Sequence, residues 1–271
     1  MIFEQISLPS VAATLTPICI SNTAELSMTP RRAIVVCPGG GYRFRSDREA
    51  EPIALQFLAA GFATFILNYS VGEGAANYTP LKEVAAAVRF VREHATDYNV
   101  DPNYVFTCGF SAGGHLAASA GVLWNSPALA EVTAGAPEGI ARPTGMILSY
   151  PVITGGEYAH KGSFYHLCGT ETPTDAALDA FSLEKHVDAT TPPAFLWHTF
   201  TDKVVPVQNA LLFADAMVRA GVSLEMHIFP EGRHGLSLAN EQTNKGAATG
   251  YENSVAGWVE LAIRWARELE A

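Results

Sequence analysis

Positive charge is scarce in this chain. Across 271 residues, 17 lysines and arginines face 27 aspartates and glutamates, a formal net charge of −10. That surplus would repel a phosphate backbone, so no nucleic-acid partner is expected. An anionic membrane surface is excluded on the same ground. No apolar run approaches the roughly 20 residues that cross a bilayer. Met1-Ile2-Phe3-Glu4-Gln5 has neither a basic start nor an apolar core, so no secretory signal is expected. Cysteine is also sparse. Cys19, Cys37, Cys108 and Cys168 stand singly with no C-x-x-C pair, which excludes a zinc knuckle and a thioredoxin-type site. A reducing, cytoplasmic setting is the expectation. Charged residues amount to 16% against 48% hydrophobic ones, the balance of a packed globular protein rather than a disordered one.

What is present is an alternation of apolar runs and helix-length segments. Strands are expected at Ala33–Cys37, Phe62–Tyr69, Val105–Phe110, Met146–Val152, Phe195–Thr199 and Leu224–Phe229, the last nearer a sheet edge. Helices are expected at Asp47–Ala60, Leu81–Ala95, Val207–Ala220 and Val255–Leu269. The first 30 residues read as one or two short strands. Alternation of this kind indicates parallel βαβ crossovers, and continuously apolar strands such as Ala33–Cys37 call for helices on both faces. The length fits one α/β domain over residues 1–271. Residues 154–193 break the rhythm, and a connection that long reads as a lid or cap.

Gly109-Phe110-Ser111-Ala112-Gly113 is a G-x-S-x-G pentapeptide placed where a strand turns into a helix. A sharp turn there lifts the serine hydroxyl out of the backbone, and an imidazole that takes its proton makes it a nucleophile. His234 is the best of eight candidate bases, because it follows the last expected strand by a short loop. Asp202, just past the strand Phe195–Thr199, is the carboxylate placed to fix the tautomer of that imidazole. On their own, His234 reads as a solvated loop histidine and Asp202 as a turn or cap residue. The chain order Ser, Asp, His is the one α/β-hydrolases use. His115 reads as a buried structural histidine, and His198 as a residue that either packs or supports the site from behind. His160 and His166 lack a third metal ligand at sensible spacing, so no metal site is expected.

A tetrahedral oxyanion needs donors already in place. The backbone N–H of Ala112, directly after the serine, is one candidate. The loop Pro38-Gly39-Gly40-Gly41-Tyr42 is the expected source of the others, since its three glycines can turn their amides inward. Tyr42 abuts that loop and is expected to touch substrate, narrowing the acyl side. No G-K-[ST] follows the glycines and no G-x-G-x-x-G can be placed, so a phosphate loop is a weak reading.

With Cys37–Tyr42, Gly109–Ala117, Pro192–Pro206 and His234–Ala239 assembled, the chain resembles the α/β-hydrolase esterases of the acetyl-xylan-esterase and lipase-esterase (BD-FAE-like) type. The resemblance covers nearly everything after residue 30. It implies an α/β-hydrolase fold with a mostly parallel eight-stranded sheet, helices on both faces and a short cap, and it implies no cofactor. It also implies Ser111, Asp202 and His234 as the triad, with Gly40 or Gly41 and Ala112 as the oxyanion hole. Pro38 stands where lipases carry a histidine, which points to the acetyl-esterase branch. Ser70 replaces an arginine common in relatives, so support of the oxyanion loop is expected to differ.

The expected partner is a small-molecule ester, an acetylated oligosaccharide being one form; homodimerisation stays open. Two rival readings remain. A prolyl-oligopeptidase-like peptidase shares the fold and the triad order, and a non-catalytic binding protein could use the same scaffold.

Overall fold

The computed structural model describes residues 4–23, 25–26, 29–244 and 252–270. The reading of Met1–Phe3 lies outside them. Eight strands form one sheet: β1 (Ile6–Ser7), β2 (Thr14–Ile18), β3 (Arg31–Cys37), β4 (Ala63–Asn68), β5 (Val100–Phe110), β6 (Gly145–Ser149), β7 (Ala194–Thr199) and β8 (Leu224–Phe229). Their spatial order is β1-β2-β4-β3-β5-β6-β7-β8. The pairings β1·β2 and β2·β4 are antiparallel, and those from β4 through β8 are parallel.

The apolar run in β3 is explained by cover on both faces. Side chains alternate across a strand. Ala33, Val35 and Cys37 join Val84 and Val88 of the helix Thr79–Glu93, together with Leu116 and Ala117 of the helix Ala112–Val122. Ile34 and Val36 join Ile53 and Phe57 of the helix Glu51–Ala59, and Trp258 and Trp265 of the helix Trp258–Glu268. Cys37 and Cys108 are fully buried, and burial pushes both thiols far up, so they act as small apolar residues. No helix among the described residues is long and apolar enough to cross a membrane.

Several element bounds differ from expectation, each for a local reason. The helix expected from Asp47 is a 3-10 turn, Asp47–Glu49, and then an α-helix, Glu51–Ala59. Ala50 breaks the run at φ −107° and ψ −103°, and Pro52 fits the first helical turn because it has no N–H to place. Strand β5 begins at Val100, earlier than expected, because Val100 pairs with Arg31 across a register shift before Ala33 pairs with Val105. Strand β6 ends at Ser149, earlier than expected, because Tyr150 turns the chain with φ +37°. The C-terminal helix is divided at Gly257 into Glu252–Ala256 and Trp258–Glu268.

The C-terminal ends of the parallel strands share one rim. Cys37 of β3, Phe110 of β5, Thr199 of β7 and Phe229 of β8 lead directly into the segments that carry Gly40, Ser111, Asp202 and His234. In open α/β sheets this rim is where ligands bind.

Candidate active site

Ser111 occupies the single residue between β5 and the helix Ala112–Val122, with φ +54° and ψ −119°. A side chain rarely enters that region, so the surrounding contacts must hold it. The flanking glycines make the turn possible sterically. A β-carbon on Gly109 would overlap the Gly113 carbonyl, and one on Gly113 would overlap the carbonyls of Cys37 and Pro38. The G-x-S-x-G pattern therefore expresses how closely β5, the helix and the loop after β3 pass one another.

The three side chains far apart in sequence meet. Ser111 Oγ lies 2.8 Å from His234 Nε2, and His234 Nδ1 lies 2.6 Å from Asp202 Oδ2. An ionised carboxylate only accepts, so Nδ1 carries the ring proton and Nε2 accepts from the serine hydroxyl. Asp202 is anchored from behind. Its Oδ1 accepts from the amides of Val204 and Val205 at 2.9 and 3.0 Å. His198 Nε2 donates to the Val205 carbonyl at 2.9 Å and lies 3.5 Å from Asp202 Oδ2. Burial by itself would raise the Asp202 pKa. The hydrogen bonds from His198 and His234 outweigh it and hold the carboxyl well below the ordinary range.

The oxyanion candidates are free donors. Gly39 N is committed to Glu49 Oε2 at 2.9 Å. The amides of Gly40, Gly41 and Ala112 have no hydrogen-bond partner among the described residues. Gly40 (φ +131°) and Gly41 (φ +66°) adopt backbone that favours glycine, and a β-carbon on Gly40 would overlap the Phe44 carbonyl. Gly40, Gly41, Ser111 and His234 line one cavity of about 730 Å³. Ala112 is fully buried beneath it, first in its helix.

Tyr42 departs from expectation. Its side chain is 1% exposed and does not reach that cavity. With φ +58° at this residue, the ring packs edge-on against Tyr69 and His115, and the hydroxyl lies 2.9 Å from His115 Nδ1. Tyr42 therefore braces the loop from below instead of narrowing the acyl side. Phe44, which is 51% exposed, lines the cavity. Tyr69 Oη donates to the Pro38 carbonyl, and Arg45 Nη1 donates to the Tyr69 carbonyl. Both the Ser70 amide and its hydroxyl donate to Glu83 at 2.6 Å. These contacts form the support of the loop around Ser70.

Glu49 is the functional neighbour that sequence reasoning missed. It is buried and lines the cavity. It accepts from Gly39 N and, through Oε1, from Tyr150 Oη at 2.7 Å. Tyr150 Oη in turn accepts from Ser237 N at 2.9 Å, and its ring meets the His234 ring edge-on at 5.1 Å. Next to it, Arg48 Nη1 donates to the carbonyls of Gly235 and Thr243 at 3.0 and 3.1 Å. One short turn thus ties the glycine loop to the histidine loop. Its only sequence signal was a charged run, Arg45-Ser46-Asp47-Arg48-Glu49, that reads equally well as a solvated helix start.

His115 is enclosed, 1% exposed. Nε2 donates to the Phe181 carbonyl at 2.8 Å, and Nδ1 accepts from Tyr42 Oη. Burial lowers its pKa to about 4, against a smaller opposing effect of the Phe181 carbonyl. Among the described residues, no group of three or more His, Cys, Asp or Glu could hold a metal ion.

Comparison with known proteins places these features in context. The BD-FAE family matches residues 22–141, and the prolyl oligopeptidase family matches residues 149–252. The chain is 40% identical over 228 residues to endo-1,4-beta-xylanase B of Butyrivibrio fibrisolvens, covering 81% of this chain and 35% of that protein. It is 35% identical over 212 residues to an acetylxylan esterase of Xylanibacter ruminicola, covering 76% of this chain and 41% of that protein. The chain therefore spans less than half the length of these curated relatives. The crystal structure of an acetyl ester-xyloside bifunctional hydrolase from Caldicellulosiruptor lactoaceticus matches with a TM-score of 0.81 at 35% identity, covering 97% of this chain and 95% of that one.

The buried neutral His115 has a consequence for acid stability. A histidine whose folded pKa is lowered stays neutral in the native state while the unfolded chain takes up its proton. Its contribution is complete above the ordinary histidine value of 6.5 and is lost as pH falls toward about 4. Urea unfolding at pH 7.5 and 4.5 should therefore show a loss on acidification that is smaller in His115→Gln than in wild type. The difference should be roughly 2 kcal/mol.

Proposed function

The chain belongs to the BD-FAE-like family of α/β-hydrolase esterases, and we propose that it is a serine carboxylesterase that removes short acyl groups, chiefly acetyl, from hydroxylated alcohols such as xylo-oligosaccharides. The observation that carries the reading is the 2.8 Å contact between Ser111 Oγ and His234 Nε2, on a ring whose other nitrogen is held 2.6 Å from Asp202.

In this mechanism the ester carbonyl oxygen faces the amides of Gly40 or Gly41 and Ala112. Ser111 Oγ attacks the carbonyl carbon while its proton passes to His234 Nε2. Asp202 keeps the ring oriented and stabilises the imidazolium that forms. The negative charge that develops on oxygen meets donors that need no reorganisation. Collapse breaks the carbon–oxygen bond to the alcohol, which leaves with the proton from His234. Water then attacks the acyl-enzyme by the same route in reverse, returning the proton to Ser111.

The character of the cavity supports a short acyl group and a polar alcohol. Phe44 and Val204 supply its large apolar side chains, and the remaining lining is glycine, serine, histidine, arginine and acid. A long fatty acyl chain would find little apolar surface to cover there. The names of the acetylxylan esterase and the acetyl ester-xyloside hydrolase among the relatives support the same substrate class. A reducing, cytoplasmic compartment accords with four cysteines that are all free thiols.

Ser111→Ala should lower p-nitrophenyl acetate turnover by about four or more orders of magnitude, the scale on which a triad acts as a unit. An undiminished rate would remove the assignment. Across a series of p-nitrophenyl esters, kcat/KM should peak at acetyl to butyryl; a maximum at octanoyl or longer would rule out the short-acyl reading. The match of residues 149–252 to the prolyl oligopeptidase family favours one rival, a serine peptidase. A panel of prolyl and alanyl peptide p-nitroanilides separates the two, and turnover comparable to that of acetyl esters would favour the peptidase.

A further inference from the structure

The long segment after β6 brings two further imidazoles, His160 and His166, to the cavity. His160 lines it together with Ser111, His234 and Gly41. A β-carbon placed on Gly41 would lie 3.6 Å from His160 Cε1, so the ring stands against the glycine loop. Its Nδ1 is 2.8 Å from Ser163 Oγ, and the Ser163 amide donates to the His160 carbonyl at 3.0 Å. The ring is therefore fixed from the side away from solvent.

The partner settles which ring nitrogen carries the proton. Ser163 is fully buried, and His160 Nδ1 is the one hydrogen-bond partner of its hydroxyl among the described residues. If Nδ1 were protonated, it would donate to Ser163 Oγ and leave a buried O–H with no acceptor, at a cost of about 1–3 kcal/mol. The satisfied arrangement has Ser163 O–H donating to Nδ1. The proton of the neutral ring then sits on Nε2, which has no hydrogen-bond partner among the described residues. Burial, with the neighbouring His234 as the second cause, lowers the His160 pKa against the opposing pull of Asp202, so the ring keeps this single-donor form at neutral pH.

We propose that His160 Nε2–H is a substrate-binding donor that selects leaving alcohols carrying a hydroxyl next to the ester oxygen, the pattern of a partly acetylated sugar or other vicinal diol. The proposal rests on the esterase reading of Ser111, His234 and Asp202. The amides of Gly40, Gly41 and Ala112 already provide donors for the carbonyl oxygen, so a further donor is not required there. The leaving oxygen must lie within reach of His234 Nε2, and His160 sits in the electrostatic reach of that ring along the same cavity. The acceptor assigned to it is an oxygen on the carbon next to the leaving oxygen. A neutral donor suits a hydroxyl, which demands no charge compensation, and a site built to bond a hydroxyl rejects the analogue that lacks it.

The test compares trans-2-hydroxycyclohexyl acetate with cyclohexyl acetate, two esters that differ by the one hydroxyl. Wild type should prefer the hydroxylated ester in kcat/KM by about tenfold, the effect of one hydrogen bond. In His160→Phe the preference should fall to about one- to twofold, mainly through KM. In His160→Gln, whose amide N–H can replace the donor, part of it should return. Thermal unfolding of both variants checks that the fold is intact. An unchanged preference in His160→Phe overturns the proposal, as does an equal loss on both esters, which would place the ring at the oxyanion. Turnover of cyclohexyl acetate by wild type reports separately on the esterase reading. If wild type hydrolyses neither ester, that reading falls and this one with it.

Discussion

The backbone of Ser111, at φ +54° and ψ −119°, lies in a region that costs a residue with a β-carbon about 1–3 kcal/mol. Three backbone hydrogen bonds hold it there. The Ser111 amide donates to the Ser149 carbonyl, and the Ser111 carbonyl accepts from Val152 and His115, each at 3.0 Å. Two of these partners belong to β6 and the chain just after it, so the neighbouring strand takes up the strain. The same geometry has two chemical effects. It aims Oγ at His234, and it leaves the Ala112 amide as the first donor of a helix with no acceptor of its own. A serine in relaxed helical or extended backbone would offer one of these, not both.

Two carboxylates divide the bracing of the site. Asp202 faces His234 and is saturated by the amides of Val204 and Val205 behind it. Such a carboxylate cannot rotate away from the ring without losing two backbone bonds, so the imidazole keeps one orientation. Glu49 does the equivalent for the electrophilic side. By holding Gly39 N and Tyr150 Oη together, it fixes the start of the glycine loop relative to Ser237, three residues past His234. Arg48 adds the bonds to Gly235 and Thr243 from the same turn. The glycine loop and the histidine loop are thus bridged by one 3-10 turn, Asp47–Glu49.

Legibility of the sequence followed the strands. Ser111, Asp202 and His234 could be found because each comes shortly after an apolar run, and parallel strands deliver their C-terminal ends to one rim. The glycine-rich loop and the residue after the serine were legible as places where amides can be free, and the amides of Gly40, Gly41 and Ala112 have no partner among the described residues. Tyr42 was misread because adjacency along the chain says nothing about which side of a left-handed residue its ring occupies; at φ +58° it goes beneath the loop. Glu49 was invisible because a buried carboxylate and a solvated one look alike among Asp47, Arg48 and Glu51. The start of β5 was hidden by Asp101-Pro102-Asn103, which reads as a turn but lies within the strand beside a register shift.

The segment from 154 to 193 was expected as a lid or cap, and its contacts tie it to the core. Asn209 spans its entry: Oδ1 accepts from the amides of Ile153 and Thr154, and Nδ2 donates to the Tyr158 carbonyl. Thr154 Oγ1 donates to Glu184, and Gly155 N donates to Ser182 Oγ. Phe164 and Leu183 are fully buried in the core beneath it. The Phe181 carbonyl accepts from His115, whose other nitrogen meets Tyr42 under the glycine loop. Lifting the segment would expose two large apolar side chains, each worth about 1.5–3 kcal/mol, and would break the His115 link in the same motion. Opening the cap would therefore disturb the glycine loop proposed to hold the oxyanion. Access through a cavity already lined by Ser111 and His234 avoids that conflict, and it leaves His160 as a fixed part of the cavity wall.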